Sequence, residues 1–347
     1  MPSKNELSKT CSEIPSLDMS PLVDGNNIKV LAKELRSACK DIGFFYAVNH
    51  GVSNTVITNA FEASRRFFDQ PLEWRMQVHK DRFHRGYLPL GTTKYPGKPA
   101  DLKDSFDIGV DLPLTHPDVE GGLPLHGPNQ WPAAEWFKEP AELYFSAVKS
   151  FGFKLLLLFA KSLELEDDFF LRHYDNPTIL MRMLHYPPQS EAKEEGSIGA
   201  LAHTDYGVIT VLAQDPLGGL ELERRDGSWI KAPYIPGTFV VNIGDLMGRW
   251  TNDVYRSNKH QVINRLGVER FSIPFFFNPN HRSVIECIPT CKTLKRPARY
   301  PPVVAGEYIA NKIRAHQGFK GYILTSRLMQ FLLRQDVYSA ARRCRLI

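Results

Sequence analysis

The stretch Ala202-His203-Thr204-Asp205-Tyr206-Gly207 sets an imidazole and a carboxylate two residues apart, ahead of the apolar run from Val208 to Leu212. Side chains alternate along an extended chain, so positions 203 and 205 share a face and offer a divalent metal two ligands. The candidate third ligand is His260, 57 residues downstream, in Tyr255-Arg256-Ser257-Asn258-Lys259-His260-Gln261-Val262. Two nitrogens and one carboxylate on one side of an ion leave its other side open, an arrangement suited to redox-active ferrous iron.

The chain contains its own control for this reading. His116-Pro117-Asp118 repeats the His-x-Asp pattern, and His173 follows His116 at the same spacing of 57 residues. Context separates the two sets. Prolines at 113 and 117 forbid a paired central strand around His116, and His173 lies in a charged, helix-like stretch. His203, by contrast, leads into a β-branched run, and His260 opens the strand-like His260-Gln261-Val262-Ile263-Asn264.

Ten residues past His260, Arg270-Phe271-Ser272 begins another strand-like run ending at Phe277. Positions 270 and 272 share a face. A planar guanidinium fork plus one hydroxyl is what a buried carboxylate requires, although an Arg at a strand edge needs no such partner. Together, triad and clamp describe a site for a keto acid that chelates iron at one end and is anchored at the other.

At this point the chain resembles the isopenicillin N synthase-like branch of the Fe(II)/2-oxoglutarate-dependent dioxygenases. The matching motifs are His203-Thr204-Asp205, the Tyr-x-Ser-x-x-His-x-Val segment from Tyr255 to Val262, and Arg270-Phe271-Ser272. Met181 to Pro188 is similar to the strand that opens the family's catalytic domain. Ile14 to Asp18 and Gly43 to Gly51 are similar to its N-terminal module. The resemblance spans residues 13 to about 320. It implies Fe(II) held by His203, Asp205 and His260, and 2-oxoglutarate anchored by Arg270, Ser272 and Tyr186. It further implies O2 as oxidant, decarboxylation of 2-oxoglutarate to succinate and CO2, and hydrogen abstraction from a small organic substrate. Hydroxylation is the default outcome, with desaturation or cyclisation as variants. Many plant members carry Asn two residues before the tyrosine, where this chain has Leu184.

Three rivals remain open at this stage. An isopenicillin N synthase-like oxidase would use the same clamp for a carboxylate on the substrate itself and need no 2-oxoglutarate. A non-catalytic jelly-roll binding protein would be signalled by loss of a ligand or of Arg270, and all four are present. A zinc hydrolase would leave the clamp unused and lacks an evident general base.

The elements that must position these residues follow from periodicity. Ile28, Leu31, Leu35 and Ala38 mark a helix ending at Gly43, then Phe44 to Val48 reads as a strand. Asn54 opens a second helix closed by Pro71. From Arg82 to Trp136 the pattern breaks into a Gly- and Pro-rich region, expected to be a long functional loop. In the resembling family this region helps enclose the substrate, so Arg85, Tyr87 and Phe106 become candidates to approach it. Phe276 matches a position that often lines the family's pocket, while His50 and His185 are expected to be structural. Arg249-Trp250 could face substrate or pack in a capped turn.

A long helix is expected from Pro140 to Leu165. Short strands follow at Thr178–Tyr186, Val208–Ala213, Gly219–Glu223, Trp229–Ala232, Thr238–Ile243, His260–Asn264 and Arg270–Phe277. So many short strands indicate a double-sheet jelly roll with helices on one side, the double-stranded β-helix that the resemblance also implies. The fold class is therefore mainly β with flanking helices. Helices near Glu307–His316 and Ser326–Arg343 would pack outside the barrel or close over its mouth. The expected organisation is a disordered 1–12, an N-terminal module over 13–130, a helix-backed jelly roll over 131–320, and a C-terminal helix and tail over 321–347.

Bulk properties set outer limits. The chain has 347 residues, 43% of them hydrophobic, which is ample for a packed core. Its net charge of +5 is dispersed apart from Arg342, Arg343 and Arg345, with no aromatic-interleaved basic stripe for nucleic acid. Five cysteines at scattered positions read as reduced thiols. The N-terminus lacks an apolar signal core, and Leu155–Phe159 is too short to cross a bilayer, so a cytoplasmic enzyme without a membrane partner is expected. Oligomeric state has no signature in the sequence.

Overall fold

The computed structural model describes residues 13–92, 101–188, 197–264 and 268–317. The polar N-terminal dozen, the C-terminal helix expected from Ser326 to Arg343 and the basic cluster at 342–345 lie outside the described residues.

Two facing sheets form the jelly roll. The larger contains, in chain order, β1 (Ser16–Asp18), β2 (Phe44–Val48), β3 (Gly86–Leu88), β4 (Asp104–Gly109), β5 (Pro177–Tyr186), β7 (Ile209–Gln214), β10 (Phe239–Ile243) and β12 (Arg270–Asn280), arranged β1-β2-β10-β7-β12-β5-β4-β3. The smaller holds β6 (Ser197–His203), β8 (Leu220–Glu223), β9 (Trp229–Ala232) and β11 (His260–Asn264), in the order β6-β11-β8-β9. The expected strands after residue 177 are present within a few residues of their predicted ends.

The alternation of β12 and β5 decides which side chains meet. Phe271, Ile273, Phe275 and Phe277 join the core on the helix-backed face, as do Met181 and Met183 of β5. Arg270, Ser272, Phe276, Arg182, Leu184 and Tyr186 therefore take the opposite face, which looks toward the smaller sheet. The apolar lining between the sheets includes Phe44, Tyr46, Leu184, Tyr186, Leu222, Val240 and Val262.

Helices cover the other face. α1 (Ile28–Asp41) and α2 (Asn54–Phe68) pack on α3 (Glu135–Ser162), which begins five residues earlier than expected and contains Pro140. Pro140 is the sixth residue of this helix, past the first turn, so the helix runs through it with one backbone hydrogen bond fewer. By length and composition alone α3 could cross a membrane. Its apolar stripe, including Tyr144, Val148, Phe151 and Leu155, is buried in the core it shares with the larger sheet, as expected of a core helix. α4 (Asp245–Trp250) and α5 (Ala305–Gln317) complete the frame. Gly43 turns α1 into β2 at φ 73°, and a Cβ there would meet the Arg256 carbonyl oxygen at 2.0 Å.

The predicted loop from Arg82 to Trp136 requires correction. It contains β3 and β4, and β4 pairs along its whole length with β5. The N-terminal module thus supplies strands to both edges of the larger sheet. Asp104-Ser105-Phe106-Asp107-Ile108-Gly109 alternates, but its pocket-facing positions are polar or glycine, which hid the strand.

Candidate metal and keto-acid site

His203 is the last residue of β6, and Asp205 lies beyond the strand, in the turn toward β7. The expectation that both project from one strand is corrected: the turn brings them together. That turn is pinned by α4, whose Asp245 N–H donates to the Asp205 carbonyl at 2.7 Å and Leu246 N–H to that of Gly207 at 2.9 Å. His260 opens β11 directly opposite His203, their ring centroids 4.4 Å apart.

One donor atom from each of His203, Asp205 and His260 falls within 4.8 Å of the others. Asp205 Oδ1 lies 3.9 Å from His203 Nε2 and 3.8 Å from His260 Nε2. These separations are too long for hydrogen bonds and leave room for an ion. The far nitrogens face backbone carbonyls: His203 Nδ1 is 2.6 Å from Leu201 O, and His260 Nδ1 is 3.3 Å from Asn258 O. A proton held on Nδ1 leaves each Nε2 lone pair for a metal. Asp205 Oδ2 accepts from Thr210 Oγ1 at 2.6 Å and Asn242 Nδ2 at 2.8 Å, which turns Oδ1 inward.

Electrostatics prepares the same state. Burial, reinforced by His260, pushes the His203 imidazole down to about 3, so it is neutral at physiological pH. Burial works against the Asp205 carboxylate, but His260, His203 and the Thr210 and Asn242 hydrogen bonds outweigh it and hold its pKa below the usual range. A neutral His203 and an ionised Asp205 are the protonation states in which these two side chains bind a divalent metal.

The second half of the site lies on the same face. Arg270 pairs across the sheet with Tyr186, and its guanidinium stacks over that ring, 4.7 Å from the centroid. Nη1 donates to Ser272 Oγ at 3.2 Å and Nε to the Gly218 carbonyl. Nη2, buried, finds no partner among the described residues. A buried guanidinium with an unused donor, beside a serine hydroxyl, fits an incoming carboxylate.

These observations agree with what known proteins show. Residues 14–134 match the family model described as "non-haem dioxygenase in morphine synthesis N-terminal", and residues 175–279 match that of the 2OG-Fe(II) oxygenase superfamily. A "2-oxoglutarate-Fe(II) type oxidoreductase hxnY" of Emericella nidulans is 37% identical over 88% of this chain and 90% of its own length. The chain belongs to the 2OG-Fe(II) oxygenase superfamily. Among solved structures, a full-length Neurospora crassa protein in complex with alpha-KG and thymine superposes with a TM-score of 0.78 at 30% identity, covering 87% of this chain and 96% of that one. A putative 2OG-Fe(II) oxygenase family protein from Caulobacter crescentus gives 0.79 at 32% identity, covering 87% and 99%. This oxygenase is an oxidoreductase that requires Fe(II), 2-oxoglutarate and O2.

Within the oxygenase fold, the substrate candidates divide. Phe276 is half-buried on the pocket face, directly across from Thr210. Tyr87 and Phe106 are corrected. They pair with each other on the helix-backed face, where Phe106 packs on Phe67 and Phe137 and the Tyr87 hydroxyl donates to Asp104. Counting residues could not tell which face of an undetected strand they occupy. Arg85 is sealed, its guanidinium donating to the carbonyls of Phe83 and Leu125 at 3.0 and 2.9 Å, so it braces the wall.

The control set behaves as its context predicted. His116 caps a short helix through a bond from Asp118 N–H, Asp118 pairs with Arg282, and His173 faces Ser283. His50 and His185 are structural: His50 lies against Phe239, and His185 sits between Phe68 and Phe271. His185 does have carboxylate neighbours, Asp104 and Glu269, supplied by tertiary structure. Trp250 packs on Phe170 and His173, the capped-turn reading. Sequence reasoning missed Thr210 and Asn242, though a threonine inside an apolar strand was a usable signal.

Proposed function

We propose that His203, Asp205 and His260 hold Fe(II), that Arg270, Ser272 and Tyr186 anchor the distal carboxylate of 2-oxoglutarate, and that the enzyme hydroxylates a small organic molecule. The observation that carries this reading is the buried Nη2 of Arg270, a residue on the sheet face that looks toward the smaller sheet, left without a partner among the described residues. When bound, the iron supplies the redox centre at which O2 and 2-oxoglutarate yield succinate, CO2 and an oxidised substrate.

Each residue has a defined part. Arg270 and Ser272 fix the co-substrate at its far carboxylate, so that its keto-acid end points toward the triad. Thr210 and Asn242 keep Asp205 presenting one oxygen, and the carbonyls of Leu201 and Asn258 keep both imidazoles in one tautomer. The apolar lining of Tyr46, Leu184, Val240 and Val262 excludes water from the clamp, which strengthens its charge pairing.

Known relatives support a small-molecule substrate. The Neurospora crassa protein has been crystallised with thymine, and JOX2, 27% identical, with 2OG, Fe and JA. A cytoplasmic location belongs to the same reading and is checked by imaging the tagged chain.

The decisive experiment is anaerobic addition of Fe(II) and then 2-oxoglutarate, watching for the weak visible charge-transfer band of the chelate, followed by O2 uptake with and without 2-oxoglutarate. A band that disappears in both Arg270→Ala and His203→Ala, with uptake dependent on 2-oxoglutarate, is expected. Iron binding without a band, and O2 uptake independent of 2-oxoglutarate, overturns the reading in favour of an oxidase whose clamp holds a substrate carboxylate.

A further inference from the structure

Positive charge collects at the end of α1 without the acids that would balance it. Lys40 in the last turn of α1, Arg225 in the turn after β8, Arg249 of α4 and Arg256 ahead of β11 line one cleft of about 440 Å³. β8 and β11 are paired neighbours, with His260 opposite Leu222, so Arg225 and Arg256 leave the same end of the smaller sheet. Two carboxylates share the lining, and both are already engaged. Asp245 accepts from Ser257 Oγ at 2.8 Å and pairs with Lys312, while Asp253 pairs with Arg299. None of the four lining cations has an ion-pair partner among the described residues.

Backbone, not counter-charge, holds these groups in place. Arg225 Nη2 donates to the Lys40 carbonyl at 3.0 Å and the Arg256 N–H to that of Cys39 at 2.9 Å, so the last turn of α1 draws both segments to itself. Capping a helix end uses one Arg225 donor and leaves the rest of the fork unspent. Burial, and after it the neighbouring Arg225, lowers the pKa of Arg256. Glu223, paired with Lys259 at 3.3 Å, and Asp41 pull the other way without closing an ion pair to it. Arg249 lies against the rings of Tyr300 and Tyr308, 4.7 and 5.5 Å from their centroids, and its Nη2 donates to the Pro301 carbonyl at 2.9 Å. Its Nε is buried and finds no partner among the described residues, a donor that calls for an acceptor from outside the chain.

We infer that this cleft binds a phosphoryl anion, and that its occupancy is coupled to iron binding. Four cations against two carboxylates leave a surplus of two positive charges on the lining, which a dianion with several acceptor oxygens balances. Lys40 and Arg225 also line an adjoining cavity of about 400 Å³ with Lys33 and Arg36, which gives room for the body of a phosphorylated small molecule. The route to the triad is short. α4, which carries Arg249, holds the Asp205 carbonyl through the Asp245 N–H at 2.7 Å, and the Asp245 side chain takes the hydroxyl of Ser257, which follows Arg256 in the segment leading to His260. An anion in the cleft touches both elements, so its binding and the order of the metal-bearing turn are linked. The site stands apart from the iron reading above, whereas the coupling rests on it.

The test is calorimetric titration of the full chain, free of metal, with inorganic phosphate, glucose 6-phosphate and ADP as probes and oligo-glutamate as the arm for an acidic protein segment. Saturable binding of at least one phosphoryl probe is expected with a Kd of about 1 mM or below. It should persist in Arg270→Ala, which removes the keto-acid clamp as an alternative site, and weaken by at least about tenfold in the Arg225→Gln/Arg256→Gln double variant. Should the double variant fail to fold, Lys40→Gln changes an exposed side chain and is expected to weaken the same probe severalfold. Preference among the three probes identifies what carries the phosphoryl group. Repeating the phosphate titration anaerobically with equimolar Fe(II) should change its affinity by at least about fivefold. No saturable phosphoryl binding, binding of oligo-glutamate alone, or affinity unaltered in both cleft variants overturns the site. Phosphate affinity indifferent to bound iron overturns the coupling and keeps the site. Failure of the chain to bind iron overturns the proposed function and the coupling together, with the metal-free titrations still deciding the site.

Discussion

His203 and His260 stand directly opposite each other across one antiparallel register pair, with Asp205 Oδ1 within 3.9 Å of both Nε2 atoms. Asp205 is the only one of the three outside a strand, so its aim depends on Thr210 and Asn242. Thr210→Val should weaken Fe(II) binding by about 10- to 100-fold, as loss of an orienting partner commonly does, without unfolding the chain. Competition with a chelator measures it; an unchanged affinity shows that the turn alone sets the carboxylate.

Arg270 supplies a fork, not merely a charge. Arg270→Lys should weaken 2-oxoglutarate binding by at least about tenfold, because an ammonium cannot reproduce the planar donor pair, and Arg270→Ala by more. Titration of the anaerobic chelate reads both. Wild-type affinity in the lysine variant would mean that the keto acid is anchored elsewhere.

Gly199 leaves space for the ring on which that fork rests. A Cβ at 199 would lie 2.8 Å from a Tyr186 ring carbon and 3.2 Å from Val262. Gly199→Ala should therefore displace Tyr186 and raise KM for 2-oxoglutarate with little effect on iron affinity. A KM equal to wild type refutes the coupling between β6 and the clamp.

Phe106 is core and not pocket. Phe106→Ala should cost about 3–5 kcal/mol of unfolding free energy by opening a cavity against Phe67 and Phe137. KM for substrate in the folded fraction should stay at the wild-type value. A selective KM effect with unaltered stability would restore the residue to the substrate wall.

Acid should destabilise the fold earlier than carboxylate protonation would. Burial first of all pushes the imidazoles of His50, His84 and His281 down to about 4 from the usual 6.5. Between these values the unfolded chain binds protons that the folded chain refuses. Stability is thus full above pH 6.5 and declines as pH falls toward 4, by about 1.4 kcal/mol per unit of depression for each group. Urea unfolding at pH 7 and pH 5 tests this, with His50→Asn expected to reduce the difference.

Much of the site was legible because strand chemistry is local. His260 and Arg270 each open a run whose alternation states which neighbours share a face, and Arg270 with Ser272 emerged as a pair for that reason alone. The long helix and the β-rich second half followed from apolar periodicity. Less was legible where polar residues occupy a buried strand: the aspartates of β4 read as loop because their partners, Arg182, Arg75, Lys80 and His185, come from distant segments.

The sequence by itself determined the donor set, the clamp and the helix-backed jelly roll, since residue type and period are properties of short stretches. Tertiary structure alone decided that Asp205 reaches the histidines from a turn and that Tyr87 and Phe106 face the helices. Each of these depends on which strands lie side by side, and register between segments far apart in the chain is set by the packing of two sheets, which no local pattern encodes.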